Sequence, residues 1–191
     1  AGTMGSGIAM ACVNAGFDVT LMDVGADALD RGLTTIKRNY ASSVKRGRLT
    51  ESEVDERIGR IRTSVGYDEC AEADLVIEAV FESLDLKIEV FEAIDRVARS
   101  GAILATNTST LDIDRIASAA TRPGAVVGLH FFSPAHVMRL VEIVRGQSTA
   151  PDTLATALAV AKRLGKVGVV VGNGPGFVGN RLVFPYMDEA E

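Results

Sequence analysis

Tryptophan is absent from this chain, and histidine and cysteine occur twice each. Cys12 and Cys70 stand far apart, outside any CxxC or His/Cys cluster, so neither a disulfide framework nor a thiolate metal site is expected. That usage points to a reducing, cytoplasmic-type compartment and to chemistry without a metal. No apolar run approaches the roughly 18 residues needed to cross a bilayer, and the first residues do not read as a signal peptide. Positive charge is also scarce: 20 Lys and Arg against 25 Asp and Glu leave a net charge of −5, which argues against a nucleic-acid partner. With 47% apolar and 24% charged residues, the 191-residue composition is that of an ordinary globular chain, enough for one α/β domain with an appendage.

The pattern along the chain alternates helices with strands. Ala1 to Val13 reads as a glycine turn running into a helix of small residues, which Gly16 ends by its freedom to take positive φ. Phe17 to Met22 is a strand leading into Asp23. Helical periodicity then runs from about Ala26 to Lys45 and again from Thr50, where Thr50-Glu-Ser-Glu53 forms a capping box. These two make a polar helical hairpin longer than a sheet crossover needs. Strands are expected at Ile61–Val65, Asp74–Val80, Ala102–Thr106, Ala125–Phe132, Val137–Val144 and Lys166–Val171. Helices are expected at Leu84–Arg99, Asp112–Ala120, Pro151–Leu164 and from near Phe177, after a hinge-like Gly172–Phe177 stretch. Continuous apolar strands alternating with helices predict a doubly wound, mostly parallel sheet of Rossmann type.

Both histidines fall in the segment Gly128 to Glu142. Pro134 breaks the strand that carries His130, because it lacks an N–H and biases Ser133 toward extended geometry. Glu142 interrupts the next apolar strand, and a carboxylate at a buried strand position is costly unless paired. Two readings stay open on these residues. Either His130 and Glu142 form a dyad that holds a general base in one tautomer, or His130 is a core histidine and Glu142 faces solvent on an edge strand.

Further polar groups sit where strands end. Gly2 and Gly5 supply two positions of a G-x-G-x-x-G pattern, whose glycines let the backbone approach a pyrophosphate at the helix amino terminus. Asp23, 21 residues beyond Gly2, suits a ribose 2′-hydroxyl and would repel a 2′-phosphate, so NAD is favoured over NADP. Glu82 and Lys87 follow the Asp74–Val80 strand. They either line the nicotinamide ribose or are a helix-start acid and a solvated lysine. Asn107-Thr-Ser-Thr110 follows the next strand, and Ser109 either bonds a substrate oxygen or caps the helix near Asp112. A dinucleotide and a histidine base together imply alcohol oxidation by hydride transfer.

The motifs Gly2-Thr-Met-Gly-Ser-Gly-Ile-Ala, Glu78-Ala-Val-Phe-Glu, Asn107-Thr-Ser, His130-Phe-Phe-Ser-Pro and Pro175-Gly-Phe-Val-Gly-Asn-Arg are co-linear and correctly spaced. Together they resemble the NAD-binding domain of L-3-hydroxyacyl-CoA dehydrogenases over essentially the whole chain. The Ser-Pro-Ala-His-Val-Met-Arg form of the central motif is more similar to the dehydrogenase part of multifunctional β-oxidation enzymes, since stand-alone members more often carry Asn where Ser133 stands.

The resemblance implies that His130 takes the 3-hydroxyl proton and that Glu142 orients and charges with it. Ser109 and Asn180 would bond the substrate oxygen or hold the dyad. Gly2, Thr3, Met4, Gly5, Asp23, Glu82, Lys87, Asn107, Ser109 and Ser133 would meet NAD. His136 matches no site position and is expected at the surface. The hairpin from about Ala26 to Arg60 would meet the CoA moiety, with Lys37, Arg38 and Lys45 as candidates for its phosphates. The domains implied are residues 1–172, a dinucleotide-binding domain lacking its first strand, and residues 173–191, the start of a helical domain that closes over the acyl-CoA substrate. Through that domain a homodimer would form, or the chain would join other domains of a multifunctional enzyme, and the fragment alone would turn over poorly. The alternative is a catalytically retired NAD-binding or structural member of the same family.

Overall fold

A computed structural model describes residues 1–189; Ala190 and Glu191, the last of the expected terminal helix, lie outside the described residues. The chain divides into two compact units, residues 1–69 with 132–138, and residues 70–131 with those from 139 onward.

In the first unit α1 (Thr3–Asn14) follows the glycine turn, and Gly16 ends it at φ +81°. Strand β1 (Val19–Asp23) pairs in parallel with β2 (Ile61–Val65), joined through α2 (Ala26–Lys45) and α3 (Glu51–Gly59). The apolar stripe of α2, Leu29, Ile36 and Tyr40, is buried with Ala9, Met10 and Val13 of α1 and Leu21 of β1 in one core. Both halves of the Thr50–Glu53 capping box form, so α3 begins where the sequence says it should. Leu49, Val54 and Ile58 pack against the same core, which holds the hairpin down even though α3 buries no residue completely.

The second unit is a five-stranded sheet in the order β3 (Leu75–Glu78), β4 (Ile103–Thr106), β5 (Val126–Phe131), β6 (Leu140–Arg145), β7 (Val167–Gly172). All pairs are parallel except β5 with β6, which run antiparallel. Helices α4 (Leu84–Val97), α5 (Ile113–Ala117), α6 (Pro151–Arg163) and α7 (Gly179–Asp188) complete it. Strand β6 starts at Leu140 rather than at Val137. The Val137 and Met138 amides both donate to the Pro134 carbonyl at 2.9 Å, so the chain is still turning there. The Ser133–Pro134 peptide in that turn is cis. Other ends either match expectation, as at Ala26–Lys45 and Ile61–Val65, or differ from it by one to three residues, as ends set by capping and fraying do. No described helix is long and apolar enough to cross a membrane.

Candidate active site

The antiparallel β5–β6 pair sets His130 directly opposite Glu142, and directly opposed residues project from the same face of a sheet. Two positions away, Gly128 lies opposite Val144, where a Cβ would come within 2.6 Å of the valine Cβ. Glycine there lets the two strands close. The His130 Nδ1 lies 2.8 Å from Glu142 Oε2, and the two residues are only 5% and 1% exposed. Strand β6 lies between β5 and β7, so the alternative of a solvated carboxylate on an edge strand is excluded. The other carboxylate oxygen, Oε1, accepts the Val178 amide at 3.0 Å and the Gly179 amide at 2.8 Å. Both Glu142 oxygens are therefore hydrogen-bonded, one to the imidazole and the other to two backbone amides. The His130 ring also faces the Phe177 ring, with centroids 5.7 Å apart and the planes tilted by 57°.

A second polar network occupies the ends of β3 and β4. Glu78, the last residue of β3, is buried and accepts the Lys87 ammonium at 2.7 Å, the Val80 amide at 2.6 Å and the Thr106 hydroxyl at 2.7 Å. Lys87, on the first turns of α4, is 1% exposed and also lies 3.4 Å from Glu82. It is no solvated lysine: it is half of a buried ion pair. Glu82 Oε1 accepts the Thr108 hydroxyl at 2.6 Å, the Ser109 amide at 2.7 Å and the Ser109 hydroxyl at 3.0 Å. Partial burial alone raises the Glu82 carboxyl, but these bonds and the Lys87 charge together outweigh it and hold it below the usual carboxylate range.

Ser109 does not cap the following helix. Asp112 does, accepting the Asp114 amide at 2.9 Å, because the Ser109 hydroxyl is already committed to Glu82. The Asn180 side chain donates to the Ser109 carbonyl at 3.2 Å, bringing α7 to the same strand end. Asn107 accepts the Phe131 amide at 2.9 Å through its side chain and so ties the end of β4 to that of β5. Glu78, Thr106 and Thr108 carry no role in the sequence reading. The signal for Glu78 was the same one that marked Glu142, an acid inside an apolar strand (Leu75-Val-Ile-Glu78).

In the first unit, Gly2 and Gly5 face open space: a Cβ at either meets nothing within 4 Å. Helix α1 has neither a side-chain cap nor an acid in its first turn, so the amides of Thr3, Met4 and Gly5 present an uncapped positive end. That combination suits an anionic diphosphate. Asp23 ends β1, accepts the Val24 amide at 2.8 Å and lies 2.8 Å from the Ala1 nitrogen, beside the start of the glycine turn. Gly7, on α1, packs close to Ala135, where a Cβ would meet the alanine Cβ at 3.1 Å. Ser133 is exposed, whereas His136 is half-buried, not a surface residue as the resemblance implied. Lys37, Arg38 and Lys45 are all exposed along α2. Among the described residues no cluster of three or more His, Cys, Asp or Glu side chains is placed to hold a metal.

Residues 1–174 match the family model described as 3-hydroxyacyl-CoA dehydrogenase, NAD binding domain. The chain belongs to that family. A probable 3-hydroxybutyryl-CoA dehydrogenase of Bacillus subtilis is 43% identical over 190 residues, covering 100% of this chain and 66% of the relative. The fatty acid oxidation complex subunit alpha of Psychrobacter arcticus is 40% identical over 97% of this chain, which spans only 26% of that protein. The crystal structure of an (S)-3-hydroxybutyryl-CoA dehydrogenase from Ralstonia eutropha superposes with a TM-score of 0.97 at 39% identity, covering 99% of this chain and 67% of the other. The sheet and helices described above are thus those of the family's NAD-binding domain, and NAD is the cofactor its fold serves. Relatives named as 3-hydroxybutyryl-CoA dehydrogenases thus stand beside one named as a multifunctional protein of peroxisomal fatty acid β-oxidation, from Arabidopsis thaliana.

Proposed function

We propose that the complete protein oxidises an L-3-hydroxyacyl-CoA to the 3-oxoacyl-CoA with NAD, as a step of fatty-acid β-oxidation. The observation that carries this reading is the buried His130–Glu142 pair, with Nδ1 and Oε2 2.8 Å apart. With Nδ1 held by the carboxylate, proton exchange falls to Nε2, which takes the proton of the 3-hydroxyl. The imidazolium so formed is stabilised by the Glu142 charge across the strand pair, a buried arrangement in which that attraction is strong. Bound NAD supplies the acceptor for the hydride that leaves C3.

The remaining residues bind and orient. The Gly2-Thr3-Met4-Gly5 turn cradles the pyrophosphate and Asp23 takes the adenosine ribose. Glu82, fixed as a carboxylate, is suited to accept hydroxyls of the nicotinamide ribose, while Lys87 acts by anchoring Glu82 and Glu78. The Ser109 hydroxyl gives its hydrogen to Glu82, so its oxygen meets cofactor or substrate as an acceptor. Asn107 and Asn180 hold the strand end that carries Ser109, and the family resemblance gives Ser133 a cofactor contact. Residues from 173 onward begin a helical domain that covers the acyl chain and carries dimer contacts, or joins this domain to others in a multifunctional chain. Burial pushes the Cys70 thiol up to about 11, which keeps it protonated and unreactive.

The test is turnover of acetoacetyl-CoA with NADH by the full-length protein. Replacing His130 with Ala is expected to lower kcat by about 10²–10⁴-fold, the range of a lost general acid–base. Undiminished turnover in that variant would sink the mechanism.

A further inference from the structure

The stretch between β7 and α7 is pinned at its start and turned sharply at its end. Asn173 donates to Asp112 at 2.6 Å and to Asp114 at 2.8 Å, and accepts the Ile113 amide at 3.1 Å, which fixes it to the start of α5. At the other end Gly176 and Phe177 both take positive φ, +69° and +52°, whereas Val178 returns to the right-handed helical region at φ −108°, ψ −50°. Phe177 is the only non-glycine among the described residues with positive φ. An aromatic residue pays for that conformation in sterics and keeps it only where its surroundings over-determine it.

The geometry explains what is gained. A left-handed residue followed by a right-handed one turns successive N–H groups toward a common point, forming a concave nest for an anion. Here the anion is the protein's own: the Val178 and Gly179 amides converge on Glu142 Oε1. The same residue that sets the nest places its ring, 3% exposed, against the His130 imidazole. One turn thus touches both members of the dyad.

We propose that Phe177 is a positioning residue for the dyad, its left-handed backbone aiming two amides at Glu142 and its ring fixing the plane of His130. This rests on the reading of His130 as the proton acceptor. Phe177 itself touches neither proton nor hydride; it narrows the orientations from which His130 Nε2 meets the hydroxyl. Misplacement of a reacting group by about 1 Å costs on the order of 10²-fold in rate.

Two substitutions in the full-length protein separate ring from turn. Phe177→Ala removes the ring that holds the turn but keeps the penalty for positive φ, so the nest opens. Phe177→Gly removes ring and penalty together, so the nest survives without its ring. The expected result is kcat lowered about 100-fold in the Ala variant, with KM for acetoacetyl-CoA and Kd for NADH within about twofold of wild type. The Gly variant is expected to recover about tenfold of that loss.

Equal kcat in the two variants, or kcat within about twofold of wild type in either, overturns the proposal. So does a kcat loss that arrives with weakened NADH binding and a lowered Tm in both, which would make Phe177 a packing residue. His130→Ala is assayed beside them. If it is inactive while both Phe177 variants turn over normally, only the positioning role falls. If it stays fully active, the base assignment falls and the positioning role with it.

Discussion

Glu142→Gln tests the dyad more sharply than deletion, because the two side chains have nearly the same shape. In the wild type the carboxylate accepts three N–H donors: His130 Nδ1 at 2.8 Å, Val178 N at 3.0 Å and Gly179 N at 2.8 Å. A glutamine has one acceptor oxygen and one donor NH2, so it cannot serve both sides. Turning the NH2 toward the two backbone amides would leave two donors unsatisfied, at about 1–3 kcal/mol each. The opposite orientation costs less: the oxygen stays on the amides and the NH2 faces His130 Nδ1. Nδ1 must then accept, which moves the imidazole proton to Nε2 and removes the site at which a hydroxyl proton is taken. The variant is therefore expected to fold, with stability lower by about 1.5–3 kcal/mol for one lost charge-assisted bond. Its kcat should fall on the order of 10⁴-fold, as when another base is locked in the wrong tautomer. Denaturant unfolding and NADH-linked turnover in the full-length protein measure the two effects. A Glu142→Gln enzyme within about tenfold of wild-type kcat would refute the argument, because the tautomer would then not matter.

Two further expectations concern the network at the ends of β3 and β4. Lys87→Met strands the Glu78 carboxylate, buried with its partner at 1% side-chain exposure each, and should cost about 3–5 kcal/mol by denaturant unfolding. Pairing it with Glu78→Gln should recover most of that loss; a single variant within about 1 kcal/mol of wild type would show the ion pair to be slack. Glu82 is held below its ordinary value of 4.5, so it binds protons less readily folded than unfolded. Its contribution is complete above the unfolded value and is lost as pH falls through the lower folded one. Glu82→Gln should accordingly flatten the acid limb of a stability-against-pH curve below about 4.5 and leave neutral pH less affected; an unchanged limb would count against the bonds from Thr108 and Ser109.

Much of the fold was legible because its signals are local. The Thr50–Glu53 box, Gly16 at positive φ and the apolar strands each follow from a few adjacent residues, and each lies where its pattern puts it. The dyad was half legible. Glu142 stood out as an acid among apolar neighbours, yet whether it met His130 or solvent depended on strand order, which no local pattern encodes. Ser109 shows the same limit: a serine before a helix is most often a cap, and only the arrival of Glu82 from another strand end removes its hydroxyl from that task. Lys87 looked solvated because it falls in the exposed-looking first turns of a helix, and its burial depends on Glu78 lying beneath it. Phe177 was invisible as anything but a hinge residue. Its importance lies in a backbone angle and in two amides, neither of which has a side-chain signature.

The two buried carboxylates of this sheet are neutralised in different ways, and the difference follows from what each must do. Glu78 is met by a full positive charge, the Lys87 ammonium, and has no partner whose charge must change. Glu142 faces a histidine that in the proposed cycle alternates between neutral and cationic. A lysine at Glu142 Oε1 would bring a permanent positive charge close to that imidazole and oppose its protonation. Two backbone amides satisfy the same oxygen with dipoles and no net charge. The carboxylate stays hydrogen-bonded, and its attraction for the imidazolium is not cancelled by a competing cation. An amide nest rather than an ion pair is thus the arrangement expected behind a carboxylate that supports a proton-accepting histidine, and it requires a left-handed residue at position 177, a conformation that Phe177 takes against the steric preference of its side chain.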